Sequence, residues 1–446
     1  MAPEDKIFLR DFFRALEDRP LDPDDPAYVG LYDDRDLQLE DPVELLARSI
    51  EWAPTNTSAQ LLSGFRGAGK STELRRLHRQ LTDAGYLVLL VDIFDYLSPS
   101  SPVDVTDFVM VLAGALSDAL DKEKVFAKST THESYWLRLK SFLQSEVELK
   151  DVSAKLVVLD IKAGLHTDPT FRKRLQKGVE GHFAELVRDM QAYVRETITA
   201  IPADRLGSGL VLIMDSLERI GGTITNAQDV QESLERLFTV HAESLQLPQA
   251  HVVYTVPPWL KIRAPSVSTQ FSGGLQMLHP LSVRRQEDAE PDHASLHAMC
   301  RIVSKRGDWE RLLGKHEVLD RLALESGGHV RDLLRLLSEI VRRADGLPVS
   351  ERAVERAITQ VQSEMLPIAL DDARWLQRIA VSHDASLLEI SKLPRLVTFL
   401  DSHLVLCYRE NGREWYDVHP LIRDEVAKLA ATSGTVEVPA AEPSET

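Results

Sequence analysis

The sequence predicts an α/β fold in which a parallel sheet covered by helices gives way to helices alone and then to a terminal hairpin. Three observations carry this. An apolar run, Gln60-Leu61-Leu62-Ser63, passes through a glycine-rich loop into a helical stretch, Ser71 to Leu81, and Tyr86 to Asp92 then reads as a second strand. That strand–loop–helix–strand order is a βαβ unit, which implies a parallel sheet with helices on both faces. Further runs at Gly209 to Asp215, His251 to Val256 and Leu275 to Leu278 are short and apolar, as buried strands are. Last, Leu404 to Arg409 and Glu414 to Val418 flank Glu410-Asn411-Gly412-Arg413. Asn-Gly between two strand-like runs is the strongest short-range hairpin signal.

The elements follow in chain order. Residues 1–40 are rich in acids and prolines and read as an extension, with a short helix over Ile7 to Leu16 and an extended segment after it. Residues 41–281 form the core domain, opening with a helix from Pro42 to Trp52 that places Leu45, Leu46 and Ile50 on one face. The helix after the glycine-rich loop carries Leu74, Leu77 and Leu81 at helical spacing and ends before Gly85. A mostly helical insertion occupies about residues 102–201, and within it Val152 to Ile161 has the pattern of a small hairpin or extra strand. Residues 282–346 read as a helical lid, with helices over Glu287 to Arg306, Trp309 to Ser326 and Val330 to Ala344. Helices plus a terminal hairpin over residues 347–431 have the pattern of a winged helix, and the small, acidic residues 432–446 that of a disordered tail.

Bulk properties narrow the function. At 446 residues the chain is too long for one comfortable core. A formal charge of −17 argues against coating nucleic acid or an anionic membrane by bulk electrostatics. Two cysteines, Cys300 and Cys407, lie far apart without metal-ligand spacing, which fits a reducing compartment and excludes a disulfide framework. The amino terminus lacks a signal-peptide pattern, and the most apolar runs have strand length, so a cytoplasmic protein with no membrane partner is expected.

Gly64-Phe65-Arg66-Gly67-Ala68-Gly69-Lys70-Ser71-Thr72 matches the phosphate-binding (Walker A) pattern at every defined position. Glycines at 64, 67 and 69 let the backbone curl so that successive N–H groups face phosphate oxygens. The helix beginning near Lys70 adds its positive end, the Lys70 ammonium reaches the β- and γ-phosphates, and the Ser71 hydroxyl ligates Mg²⁺. Arg66, Ala68 and Thr72 complete the nucleotide-binding set. Such a site needs an acid at the end of a neighbouring strand to hold the metal shell. Asp215 is assigned that role; Asp92, ending the second strand, either supports the site or caps a turn. Ser216 stands directly after Asp215, where many ATPases carry a glutamate that orients the attacking water. Glu218, three residues on, is the candidate for that task, and slow hydrolysis is expected. Thr255, ending the fourth strand, is a candidate sensor of the γ-phosphate or of the water. Arg331 sits in the first turn of a helix after Gly327-Gly328, where acids are preferred, and reaching a phosphate from the lid would account for it.

Together these residues resemble the AAA+-like ATPases of the STAND class and their origin-recognition relatives. Asp215-Ser216-Leu217-Glu218 looks like the family's acid-x-x-acid form of Walker B. Gly327-Gly328-His329-Val330-Arg331 looks like its lid motif, in which the arginine acts as sensor 2. Val418-His419-Pro420-Leu421 is similar to the histidine motif of STAND winged helices, which implies that His419 contacts the nucleotide's β-phosphate in a closed, ADP-bound form. The resemblance spans about Asp41 to Leu429 and implies ATP with Mg²⁺, a nucleotide-controlled switch, and a role in bacterial defence or signalling. It also implies self-assembly or a separate effector or sensor chain, since the sequence looks like the switch module alone. Arg284 and Arg285 are candidates for an arginine completing a neighbouring subunit's site, and Tyr28-Val29-Gly30 for a wrap around the base. The competing reading is a DNA-binding initiator or loader whose winged helix uses Lys392, Arg395, Arg409 and Arg413. A metabolic P-loop kinase would leave the lid and the two-glycine motif without purpose.

Overall fold

The computed structural model describes residues 1–126, 133–145, 158–223, 225–385 and 390–432. The chain divides into two compact units. One comprises Pro20–Pro23 and Glu40–Leu278; the other comprises Met1–Arg19, Asp24–Leu39 and the chain from His279 onward.

The first unit is built on strands β1 (Ser58–Gly64), β2 (Leu87–Asp92), β3 (Leu210–Asp215), β4 (Ala250–Val256) and β5 (Leu275–Leu278). Their order in the sheet is β2-β3-β4-β1-β5, and every neighbouring pair is parallel. Strands β1, β3 and β4 are buried along their whole length, which explains their unbroken apolar character. β4 lies between β1, which feeds the glycine-rich loop, and β3, which carries Asp215. The helix Lys70–Asp83 follows β1 and buries Leu74, Leu77 and Leu81. Beside it, the helix Pro42–Glu51 starts on Asp41, whose carboxylate accepts the Val43 and Glu44 N–H groups. The same carboxylate binds the Arg76 guanidinium through two contacts of 2.6 and 2.7 Å, so one acid both caps a helix and ties it to the next.

The insertion is helical among the described residues: Val105–Lys122, Tyr135–Ser145, Val158–Thr167, Pro169–Val179 and Phe183–Ala200. Of the stretch expected to form a hairpin or strand, Val158 to Ile161 is helical instead, and residues 152–157 lie outside the described residues. A short apolar run fits a buried strand or a helix equally well.

In the second unit the stretch expected as a lid holds the helices His293–Ser304, Trp309–Leu313, His316–Glu325 and Val330–Arg343. The stretch from Trp309, expected as one helix, is two, because Gly314 takes a left-handed φ of 75° and ends the first. Glu351–Ser363, Leu370–Ser382 and Leu393–Asp401 precede the antiparallel hairpin β6 (Val405–Glu410) and β7 (Arg413–Val418), and Pro420–Thr432 closes the described chain. Asn411 and Gly412 both have positive φ, 51° and 78°, as the hairpin turn requires. The amino-terminal helix, Pro3–Ala15, is no free extension: Leu9, Phe12 and Leu16 share one apolar core with Leu336 and Leu337 of the helix Val330–Arg343. Among the described residues, no helix is long and apolar enough to cross a membrane.

Candidate functional site

The site lies where β1 ends. Gly67 and Gly69 take φ of 90° and 88°, a left-handed backbone that side-chain-bearing residues rarely adopt. A Cβ added to Gly69 would meet nothing within 4 Å, so the loop opens on free space there. Gly64 is needed for a different reason: a Cβ would press to 3.0 Å from the Leu278 carbonyl oxygen of β5. The Gly69 carbonyl accepts the Glu73 N–H at 2.9 Å, so the helix starts on the loop and directs its unpaired N–H groups into it.

Lys70 and Glu218 meet in this loop. The Lys70 ammonium donates to the Gly64 and Phe65 carbonyls at 2.7 and 2.8 Å and stands 3.3 Å from Glu218 Oε1. Both side chains are almost wholly buried, at 3% and 7% exposure. The second oxygen, Glu218 Oε2, is buried without a hydrogen-bond partner. A buried carboxylate oxygen left open costs free energy unless something is meant to meet it.

Asp215 stands at the end of β3, in register with Asp92 on β2. Its Oδ1 accepts the Ser216 N–H at 2.7 Å, and its carboxylate receives the Ser71 hydroxyl, so the two residues expected to serve a metal are in contact. Burial, reinforced by the negative charges of Glu218 and Asp92, pushes the Asp215 carboxyl up to about 6 against the downward pull of the Ser71 and Ser216 bonds. Ser216 is buried with φ of 75°, a left-handed conformation that swings the following short 3-10 turn, Leu217–Arg219, back toward the loop. Thr255 holds that turn in place. Its hydroxyl accepts the Leu217 N–H at 3.0 Å and reaches the Met214 carbonyl at 3.4 Å. The expected phosphate sensor is therefore engaged with backbone, between the strand carrying Asp215 and the turn carrying Glu218.

The remaining expected residues separate. Arg66 is exposed on the loop, and the Thr72 hydroxyl accepts the Leu21 N–H at 3.1 Å. With Arg75 and Asp22 at 3.2 Å, that contact lays the Pro20–Pro23 segment against the helix Lys70–Asp83, which sequence reasoning missed. Asp92 caps a turn by accepting the Phe94 N–H at 3.0 Å. Arg331, His419, Arg284, Arg285 and Tyr28-Val29-Gly30 all belong to the second unit. Arg331 Nε pairs there with Asp18 at 2.5 Å. His419 is fully buried, with Nε2 3.4 Å from Asp332 Oδ2. Arg284 donates to the Ala289 carbonyl and Arg285 pairs with Asp288, so both are held in one local turn.

No protein-family model and no curated protein matches the chain. Among solved structures, several match along most of the chain at low similarity. The Walker-type ATPase PABY2304 of Pyrococcus abyssi matches over 93% of this chain and 99% of its own, at 14% identity and a TM-score of 0.45. The Aeropyrum pernix ORC2 protein, solved in ADPNP–ADP complexes, matches over 94% and 98%, at 11% identity and a TM-score of 0.42. The Aeropyrum pernix ORC1 protein in complex with DNA matches over 95% and 97%, at 14% identity and a TM-score of 0.33. At that distance the functional reading rests on the loop's own geometry. A parallel five-stranded sheet, a glycine loop opening a helix, and an acid on a non-adjacent strand reaching the helix's first serine give this chain the α/β fold of the P-loop NTPases.

Proposed function

We propose that the chain binds ATP with Mg²⁺ at Gly64–Thr72, hydrolyses it slowly, and acts as a nucleotide-controlled switch of the STAND and origin-recognition type. The observation that carries the reading is the convergence of Lys70, Ser71, Asp215 and Glu218 on one glycine loop. Loop N–H groups and the start of the helix Lys70–Asp83 bind the phosphates, and the Lys70 ammonium neutralises the terminal ones. The Ser71 hydroxyl and Asp215 carboxylate fit a magnesium ion, which takes one or two protein oxygens and completes its shell with water and phosphate. Bound there, the ion supplies neutralisation of phosphate charge.

Glu218 orients the attacking water through its open oxygen and accepts a proton from it, and Thr255 keeps Glu218 in range. Two features support slow turnover. Ser216 occupies the place directly after the metal acid and brings no carboxylate, and Glu218 is tied to Lys70, so phosphate must draw that lysine away before the carboxylate is free. Arg331 acts as the lid's sensor when it exchanges Asp18 for phosphate. His419, held on Asp332, is assigned an internal role. The division into two units suits a switch whose partner is a second copy or a separate effector, in the defence or signalling setting the resemblance implies.

The second reading is a DNA-binding initiator. Arg374, Trp375, Arg378, Lys392 and Arg395 line one surface pocket beside Asp371 and Asp372, and an aromatic among bases suits a nucleic-acid backbone. Arg395, however, is already bound to Asp372. That mode requires duplex affinity falling steeply with salt. Phosphate release by wild type, Lys70→Ala and Glu218→Gln tests the primary reading. Wild type turns over, Lys70→Ala binds ATP about a hundredfold or more weakly and releases no phosphate, and Glu218→Gln binds ATP but loses about a hundredfold in rate. Wild-type turnover in Glu218→Gln refutes the assignment of the water-orienting group.

A further inference from the structure

Three imidazoles in the second unit close on one carboxylate oxygen. His329 stands at the N-cap position of the helix Val330–Arg343 without a side-chain capping bond, and Asp332 lies in that helix's first turn. His403, with a left-handed φ of 59°, sits between Leu393–Asp401 and β6, and His419 links β7 to the helix Pro420–Thr432. Asp332 Oδ2 is 2.8 Å from His329 Nδ1, 3.4 Å from His419 Nε2 and 3.8 Å from His403 Nδ1. His329 and His419 are fully buried, and His403 and Asp332 are 13% and 5% exposed.

Hydrogen bonding alone serves this cluster poorly. One carboxylate oxygen has two lone pairs, and three imidazoles compete for them while Arg335 takes the other oxygen, Oδ1, at 3.1 Å. His329 Nε2 is buried with no hydrogen-bond partner, so the tautomer giving its proton to Asp332 gains nothing from the opposite nitrogen. We propose that His329, Asp332 and His403 bind a zinc-class divalent cation, with His419 and Arg335 orienting the carboxylate. One ligating atom from each of the three lies within 4.8 Å of the other two. Zinc bonds of about 2.0–2.2 Å in tetrahedral geometry put ligand atoms about 3.3–3.5 Å apart, between the observed His329 and His403 separations from Oδ2.

His419 is the orienting group and not a ligand. Its Nδ1 accepts the Leu421 N–H at 3.3 Å, which leaves the proton on Nε2, facing Asp332. His419 Nε2, buried without a hydrogen-bond partner 3.4 Å from Asp332 Oδ2, is placed to donate to one of that oxygen's lone pairs while the other goes to the cation, and His329 and His403 give nitrogen lone pairs. A carboxylate ligand oriented by its own hydrogen-bond donors is the usual supporting arrangement of metal sites. Water completes the fourth position. The ion would clip the lid helix to the hairpin, using residues separate from the phosphate loop.

The test is metal analysis of the full chain, free of any affinity tag, after equilibration with zinc and removal of excess, with cobalt as a spectroscopic substitute. About one zinc per chain is expected. It should persist in Ser71→Ala and in Cys407→Ser, which alters the nearby His279, Cys407 and Glu414 group. His403→Ala and Asp332→Asn should each weaken zinc at least about tenfold. If those variants do not fold, wild-type cobalt protein decides: a visible tetrahedral band without sulfur charge transfer supports this site. Absence of zinc uptake, sulfur charge transfer in the cobalt form, or zinc lost from Cys407→Ser but kept by His403→Ala overturns it.

Discussion

Asp215 is held at a cost to the fold, and that cost can be measured. Its carboxyl is raised from 3.8 to about 6, chiefly by burial and then by Glu218. Between those values the folded chain keeps a proton that the unfolded chain releases, so stability falls as pH rises through the window, and the full penalty is present above about pH 6. Asp215→Asn should therefore stabilise the nucleotide-free chain by about 1–3 kcal/mol near pH 8, with the gain vanishing below about pH 4. Urea denaturation at the two pH values checks this, and the same variant should lose its magnesium-dependent turnover. Thr255 makes a second residue-scale prediction. Thr255→Val removes the hydroxyl that accepts the Leu217 N–H, freeing the turn that carries Glu218. Turnover should fall about tenfold with ATP affinity little changed, and Thr255→Ser should restore it, as steady-state kinetics will show.

At the scale of elements, the sequence was most informative where local chemistry dictates conformation. Gly67 and Gly69 must be left-handed, Asn411-Gly412 must turn, and the Leu275–Leu278 strand falls at its expected limits. The approach of Lys70, Ser71, Asp215 and Glu218 was also legible, because motif spacing places them around one loop. Long-range partners were not. Nothing near Asp332 in sequence announces His403 and His419, and nothing near Arg331 announces Asp18. The helix at Val158 was missed because a short apolar run suits strand and helix alike, and the break at Gly314 because a left-handed glycine cap was read through as helix. Gly328 shows packing fixing an element end: a Cβ there would stand 1.9 Å from the Leu281 carbonyl oxygen, at a φ of 72°. Gly328→Ala should cost at least about 3 kcal/mol or prevent folding of the second unit, read by thermal denaturation. Asp41→Ala, which loses both a helix cap and the Arg76 pair, should cost about 2 kcal/mol in the same assay.

Across the whole molecule, two compact units divide the expected machinery, with the phosphate loop, Asp215 and Glu218 in one and Arg331 and His419 in the other. A nucleotide shifts the balance between conformations only through a difference in its affinity for them, and Arg331 is the group proposed to supply it. Light scattering should find wild type in a larger species with Mg-ATP but not with Mg-ADP, and Lys70→Ala unchanged by either; monomers throughout would remove self-assembly by ATP alone. The central claim, that the glycine loop is an ATP site, is tested most directly by titration calorimetry of Mg-ATP into wild type and Lys70→Ala. Saturable binding by wild type with one ATP per chain, weakened about a hundredfold or more in the variant, is the predicted result. Equal binding by both proteins, or none by wild type, would contradict it.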